Sequence, residues 1–317
     1  MTFSQILDRI FRLIRSHFRL LVGIGAVPAV IFLLIMAAME AVFTAPVFRN
    51  FPKPPDPQAL THLLNPAVFA PLMLIYTVIT LCIFALYLAA ATQAATSADR
   101  GIPITIGEAW REAFNRAGRS LWLLVLLYAI TFLPAIAIEL AILGGAALLT
   151  AGNPNPGPAV FALIMLGMLL VFAAFVYGIL MALRFSLAFP ACIEEDLPAR
   201  AALKRSNQLT KGAKGRIFVV LLVIYIACYA FTMVLFAILG ALGFIFALVG
   251  MAFSIPLASP LGYSAIGIVG LCALIGFMLY TALSWAALTT ALSVIYKDQR
   301  MRHDSPPPMP PPAGVLA

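Results

Sequence analysis

Long stretches almost free of charge alternate with short polar segments along this chain. Continuous apolar runs occupy residues 20–44, 67–95, 120–150, 159–185, 217–250 and 264–296. None shows the every-other-residue alternation of a barrel strand, and each exceeds the roughly 20 residues with which a helix crosses a hydrocarbon core of about 30 Å. In lipid only helices and closed barrels satisfy their backbone hydrogen bonds, so the pattern predicts an all-α, polytopic membrane bundle of six transmembrane helices. The fifth run is interrupted by Gly240, Gly243 and Gly250 and followed by Pro256 and Pro260. A broken or re-entrant helix is the alternative there.

The polar segments have a pattern of their own. Residues 1–19 place Ile6, Ile10, Phe11, Ile14 and Phe18 at helical spacing with Arg9, Arg12 and Arg15 between them. Before the third span, Thr105-Ile106-Gly107-Glu108 reads as a capping box, followed by Trp110, Ala113, Phe114 and Ala117 on one side. Before the fifth, Pro198 opens a helix through Leu203 and Leu209, and Gly212 and Gly215 lead into Ile217. Arg19, Arg119 and Arg216 stand at the three entries, 100 and 97 residues apart. This suggests three repeats, each a short amphipathic helix followed by a transmembrane hairpin.

Charge orients the bundle. Four arginines precede the first span, four lie between the second and third, seven basic residues lie between the fourth and fifth, and three follow the sixth. Eighteen of the 20 basic residues thus fall on one side, leaving Arg49 and Lys53 on the other. Cytoplasmic loops carry such an excess, so both termini are expected in the cytoplasm of a cell with the protein in its inner membrane. Residues 45–66 and 151–158 are proline-rich outer connections, and the tail 297–317 is expected to be disordered.

Composition narrows the class. The 317 residues are 63% hydrophobic and 10% charged, with a mean hydropathy of +1.04, whereas soluble domains carry about 25% charged residues. The net charge of +8 is explained by topology, because no soluble segment remains to display a nucleic-acid surface. Cys82, Cys192, Cys228 and Cys272 are single, without CxxC spacing, which argues against a disulfide framework or metal site. The run from Leu20 to Phe43 is too long for a signal-peptide core and should be retained as a span.

The stretch Pro190-Ala-Cys-Ile-Glu194, then Ala201-Ala-Leu-Lys-Arg205-Ser-Asn-Gln-Leu-Thr-Lys-Gly212 and Arg216-Ile-Phe, carries a likeness. It resembles the membrane domain of glycerophosphoryl diester phosphodiesterase membrane-domain proteins and related bacterial six-span families of unassigned role. The resemblance implies membrane topology and a lipid-related setting. In the fused members a soluble barrel hydrolyses glycerophosphodiesters with carboxylates, histidines and a divalent metal. These 317 residues include no such barrel, and His17, His62 and His303 form no catalytic pattern, so phosphodiesterase activity is not expected.

Candidate chemistry is sparse. Glu40 and Glu139 lie 21 and 20 residues beyond Arg19 and Arg119, at matching depths near the outer boundary. They are candidates for an intramembrane polar site, with protonation or contact with outer headgroups as the plainer account. Arg184 ends the fourth span and is expected either to pair with Glu194, Glu195 or Asp196 or to anchor on lipid phosphate. The acidic trio itself reads as a solvated turn. Arg19, Arg119, Arg184, Arg205 and Arg216 are the candidate lipid-phosphate and topology anchors. Pro134, Pro190, Pro256 and Pro260 mark possible helix breaks of the transporter type. The expectation is a non-catalytic membrane module without cofactor or metal, interacting with membrane lipids or an envelope protein. The alternative is a transporter of a small solute or lipid that uses the two intramembrane carboxylates.

Overall fold

The computed structural model describes residues 2–48, 66–151, 157–252 and 260–304. Most of the outer connections and the tail after Asp304 lie outside them. The described residues form helices joined by short turns, in the order α1 (Phe3–Ser16), α2 (Phe18–Phe48), α3 (Pro66–Asp99), α4 (Ile106–Asn115) and α5 (Ala117–Ala151). Next come α6 (Gly157–Phe185), α7 (Ala188–Glu194), α8 (Ala199–Thr210), α9 (Lys214–Ala252) and α10 (Pro260–Asp304). Six of them, α2, α3, α5, α6, α9 and α10, are long and apolar enough to cross a membrane. The chain is an all-α, multi-pass integral membrane protein.

Each short helix is delimited by local chemistry. The Thr105 hydroxyl accepts the Glu108 N–H at 3.2 Å while the Glu108 carboxylate accepts the Thr105 N–H at 2.8 Å, closing the capping box that starts α4. That bond from the Thr105 N–H holds the Glu108 carboxyl below its ordinary value. Thr2 and Gln5 form the same box at the start of α1. The backbone breaks at His17, so α1 and α2 are separate helices and not one continuous rod. Gly212, at φ +83°, makes the turn between α8 and α9. That conformation suits a residue without Cβ.

The long helices do not break where glycine and proline suggested. α9 runs through Gly240 and Gly243 to Ala252, and α5 carries Pro134 internally. Pro190 lies within α7 and Pro260 opens α10, whereas Pro256 lies outside the described residues.

Successive long helices pack against each other, α2 on α3, α5 on α6 and α9 on α10, and α10 also packs on α2 and α3. Small residues permit the closest approaches. A Cβ built on Gly25 would stand 2.8 Å from the Ala282 carbonyl oxygen, so α2 and α10 touch backbone to backbone there. On Gly167 it would stand 2.7 Å from Ile142, and on Gly276 it would stand 3.2 Å from Leu239. Without a hydrophobic drive between helices in lipid, close packing of this kind is one source of association.

Burial is concentrated at the end where α1, α4, α7 and α8 lie, here called the basic end. On α5 the buried residues are Ser120, Leu123 and Leu124, all within its first two turns. Farther along, Leu133, Leu140, Leu143 and Leu148 are exposed. Exposed apolar surface of this kind is the ordinary face a membrane helix turns to lipid.

Gly25→Leu should drive α2 from α10 and cost about 1–3 kcal/mol, as overpacking does. The expected result is a lower thermal midpoint of the detergent-solubilised protein. Gly118→Ala, whose new Cβ meets nothing within 4 Å, should not lower that midpoint.

Candidate functional site

The basic end is organised around a short helix that apolar patterning did not single out. After α6 ends, residues 187–193 are buried throughout, and α7 tucks beneath the bundle against α3 and α8. Its apolar run carries Glu194 and Glu195 inward with it. These two are not a solvated turn, because their side chains are only 8% and 17% exposed. The reason is that every apolar residue before them packs into the core, and basic side chains from other elements meet them there.

Glu194 pairs with Arg100 at 3.0 Å and with Arg300 at 3.7 Å. Glu195 pairs with Arg205 at 3.1 Å and accepts the Tyr296 hydroxyl at 2.5 Å. Asp196 remains exposed, at φ +52°, and its carboxylate meets Arg119 at 2.6 Å and Arg116 at 3.8 Å. Arg116 also donates to the Ile193 carbonyl at 2.9 Å.

Other carboxylates complete the network. Asp298, 1% exposed, lies between Arg216 at 3.2 Å and Arg302 at 3.1 Å. Asp99 is shared by Arg9 and Lys297, each at 2.6 Å, which ties α1 to α3 and α10. Asp304 meets Arg205 at 2.7 Å. Burial alone would lower the Arg205 guanidinium, but its hydrogen bonds to Asp304 and Glu195 hold it above its ordinary value.

Arg184 does not pair with Glu194, Glu195 or Asp196 among the described residues. Its Nε donates to the Asn207 side chain at 2.6 Å, and its own carbonyl accepts the hydroxyls of Ser206 at 3.0 Å and Thr210 at 3.1 Å. The Arg-Ser-Asn-x-x-Thr sequence is thereby a latch on the end of α6. Two side chains of α8 satisfy a carbonyl that the helix leaves without an amide partner. Leu203 and Leu209 turn into the core from the same helix.

Of the five candidate anchors, Arg119, Arg205 and Arg216 are held by carboxylates and Arg184 by Asn207. Arg19 is exposed and meets no carboxylate among the described residues. The same is true of Arg12 and Arg15 on α1 and of Arg200, Lys204, Lys211 and Lys214 around α8. The inner segments hold eighteen basic and nine acidic residues, so nine positive charges remain after every acid is matched. That surplus is what the site presents.

Two clefts flank α1. One, of about 600 Å³, lies between the α1–α2 corner and the loop 101–104, with Arg15, His17 and Arg19 in its wall. The other, of about 470 Å³, is lined by Asp8 and Asp99 as well as Arg9 and Arg12. Glu139 is exposed on α5 and lines neither. Glu40 falls in α2, but its side chain lies outside the described residues. Among the described residues no group of three or more His, Cys, Asp or Glu side chains is placed to hold a metal ion.

Comparison of the chain with family models, with curated proteins and with solved structures finds no match.

Asp298→Ala would leave Arg216 and Arg302 facing a buried gap and should cost about 3 kcal/mol, the lower end of what removing one partner from a buried pair costs. Asp196→Asn, which removes the charge of a side chain 65% exposed and suits the φ of +52°, should cost less than about 1 kcal/mol. Chemical or thermal unfolding in detergent compares the two; equal losses would show that burial does not set the strength of these pairs.

Proposed function

We propose that the chain is a non-catalytic module of the cytoplasmic or inner membrane that engages anionic lipid through its basic end. The observation that carries this reading is the division among the cations. Those near α7 are consumed by carboxylates, and a second set on α1 and α8 stands exposed and unmatched. Near an anionic leaflet each such Lys or Arg contributes about 1 kcal/mol of attraction. The basic end then faces the cytoplasm, with both termini there, an orientation that the distribution of positive charge favours. The resemblance of residues 184–218 to the glycerophosphoryl diester phosphodiesterase membrane-domain family supports the same lipid setting.

Purified protein in a zwitterionic detergent should gain several degrees in thermal midpoint when phosphatidylglycerol is added, and less when phosphatidylcholine is added. The gain should shrink in 0.5 M NaCl, where the screening length falls to about 4 Å. Equal gains with both lipids would remove the reading. Topology is tested separately. In a variant with its four native cysteines replaced, Lys204→Cys should react with an impermeant thiol reagent only after cells are opened.

A further inference from the structure

We infer that the cleft between the α1–α2 corner and the loop 101–104 is a binding site for the phosphate headgroup of an anionic membrane lipid, held by Arg15 and Arg19. This rests on the lipid-binding reading of the basic end and adds a location and a pair of ligating residues to it.

The charge in this cleft is unopposed. Its lining contains Arg15, His17 and Arg19 and no carboxylate, whereas the neighbouring cleft along α1 includes Asp8 and Asp99 beside its arginines. Neither Arg15 nor Arg19 meets a carboxylate elsewhere among the described residues. Two guanidinium groups on one wall suit a phosphodiester, which accepts paired N–H bonds from a planar fork. At about 600 Å³ the cleft falls within the ordinary range for small-ligand sites.

The opposite wall is held in place before any ligand arrives. Arg100 is fixed to Glu194 at 3.0 Å at one end of the loop, and the Thr105–Glu108 box fixes the other. Between them the Ile102 N–H donates to the Ser97 carbonyl at 3.0 Å, and Gly101 turns at φ +71°. A wall already ordered costs little further entropy on binding.

The position of the cleft selects a lipid over a free solute. Arg19 stands at the start of the first span, Phe18–Ala38. Phe18 and Ile102, beside the two arginines, are 49% and 53% exposed. A headgroup in the cleft would therefore lie level with apolar side chains against which its acyl chains continue.

The test titrates the full-length protein in detergent with phosphatidylglycerol and follows the thermal midpoint. The wild type should show a saturable rise. R15Q/R19Q should raise the half-saturating lipid concentration at least tenfold, and R200Q/K204Q on α8, which lend only their share of the diffuse attraction, should raise it by a clearly smaller factor. Should R15Q/R19Q not fold, Ile102→Glu, which sets a carboxylate on the loop without disturbing α1, should give the same loss. Equal weakening by both double variants would overturn the cleft while leaving a diffuse lipid-binding basic end intact. No preference for phosphatidylglycerol in the wild type would overturn both. Glycerol 3-phosphate producing the same rise at matched concentration would overturn the lipid as occupant.

Discussion

The structure depends on carboxylates that are taken out of water and answered by cations from distant parts of the chain. Glu194, Glu195, Asp99 and Asp298 bring together α1, α3, α8, α9 and α10, where α10 also packs against α1, α3 and α9. Desolvating a carboxylate is expensive, and only a well-placed cation with further hydrogen bonds recovers the cost. Here each acid has two such partners or a cation and a hydroxyl. Such pairs add little net stability over an apolar core of the same shape, but a misplaced neighbour leaves a bare charge, so they discriminate strongly among alternative packings.

That constraint explains how the basic side chains divide. A membrane protein accumulates Lys and Arg on one side for topology, and topology alone does not say which of them are free to meet lipid. Arg119, Arg205 and Arg216 were as good candidates by position as Arg19, yet three of the four hold the protein together. The surplus left after pairing lies on α1 and around α8, with Arg111 on α4, at the periphery of the ion-paired centre.

The membrane helices were legible because lipid imposes one rule on every residue of a span, and the six apolar runs coincide with six long helices to within a few residues at most ends. The capping signal Thr105–Glu108 was legible for a similar reason, since its partners lie three residues apart. Glu194 and Glu195 were misread because their burial comes from Arg100, Arg205 and Arg300, which no local pattern brings near. The bond from Arg184 to Asn207 was not legible because Asn207 lies on a helix whose placement depends on the whole end assembling. A clue was present in the unbroken apolar run Leu187–Ile193, which has no reason to precede a solvated turn.

The last eight described residues of α10 have a consequence for biosynthesis. Lys297 meets Asp99 across 198 positions, Arg205 meets Asp304 across 99, and Asp298 and Arg300 supply partners to α9 and α7. A chain leaving the ribosome can pair Arg9 with Asp99, Arg100 with Glu194 and Arg205 with Glu195 from its first eight helices, but the ionic centre is completed only when the final helix has emerged. Contacts so remote in sequence form late. The nascent protein thus lacks part of its ionic centre until the end of synthesis, and its final turns act as the fastener that sets the finished arrangement.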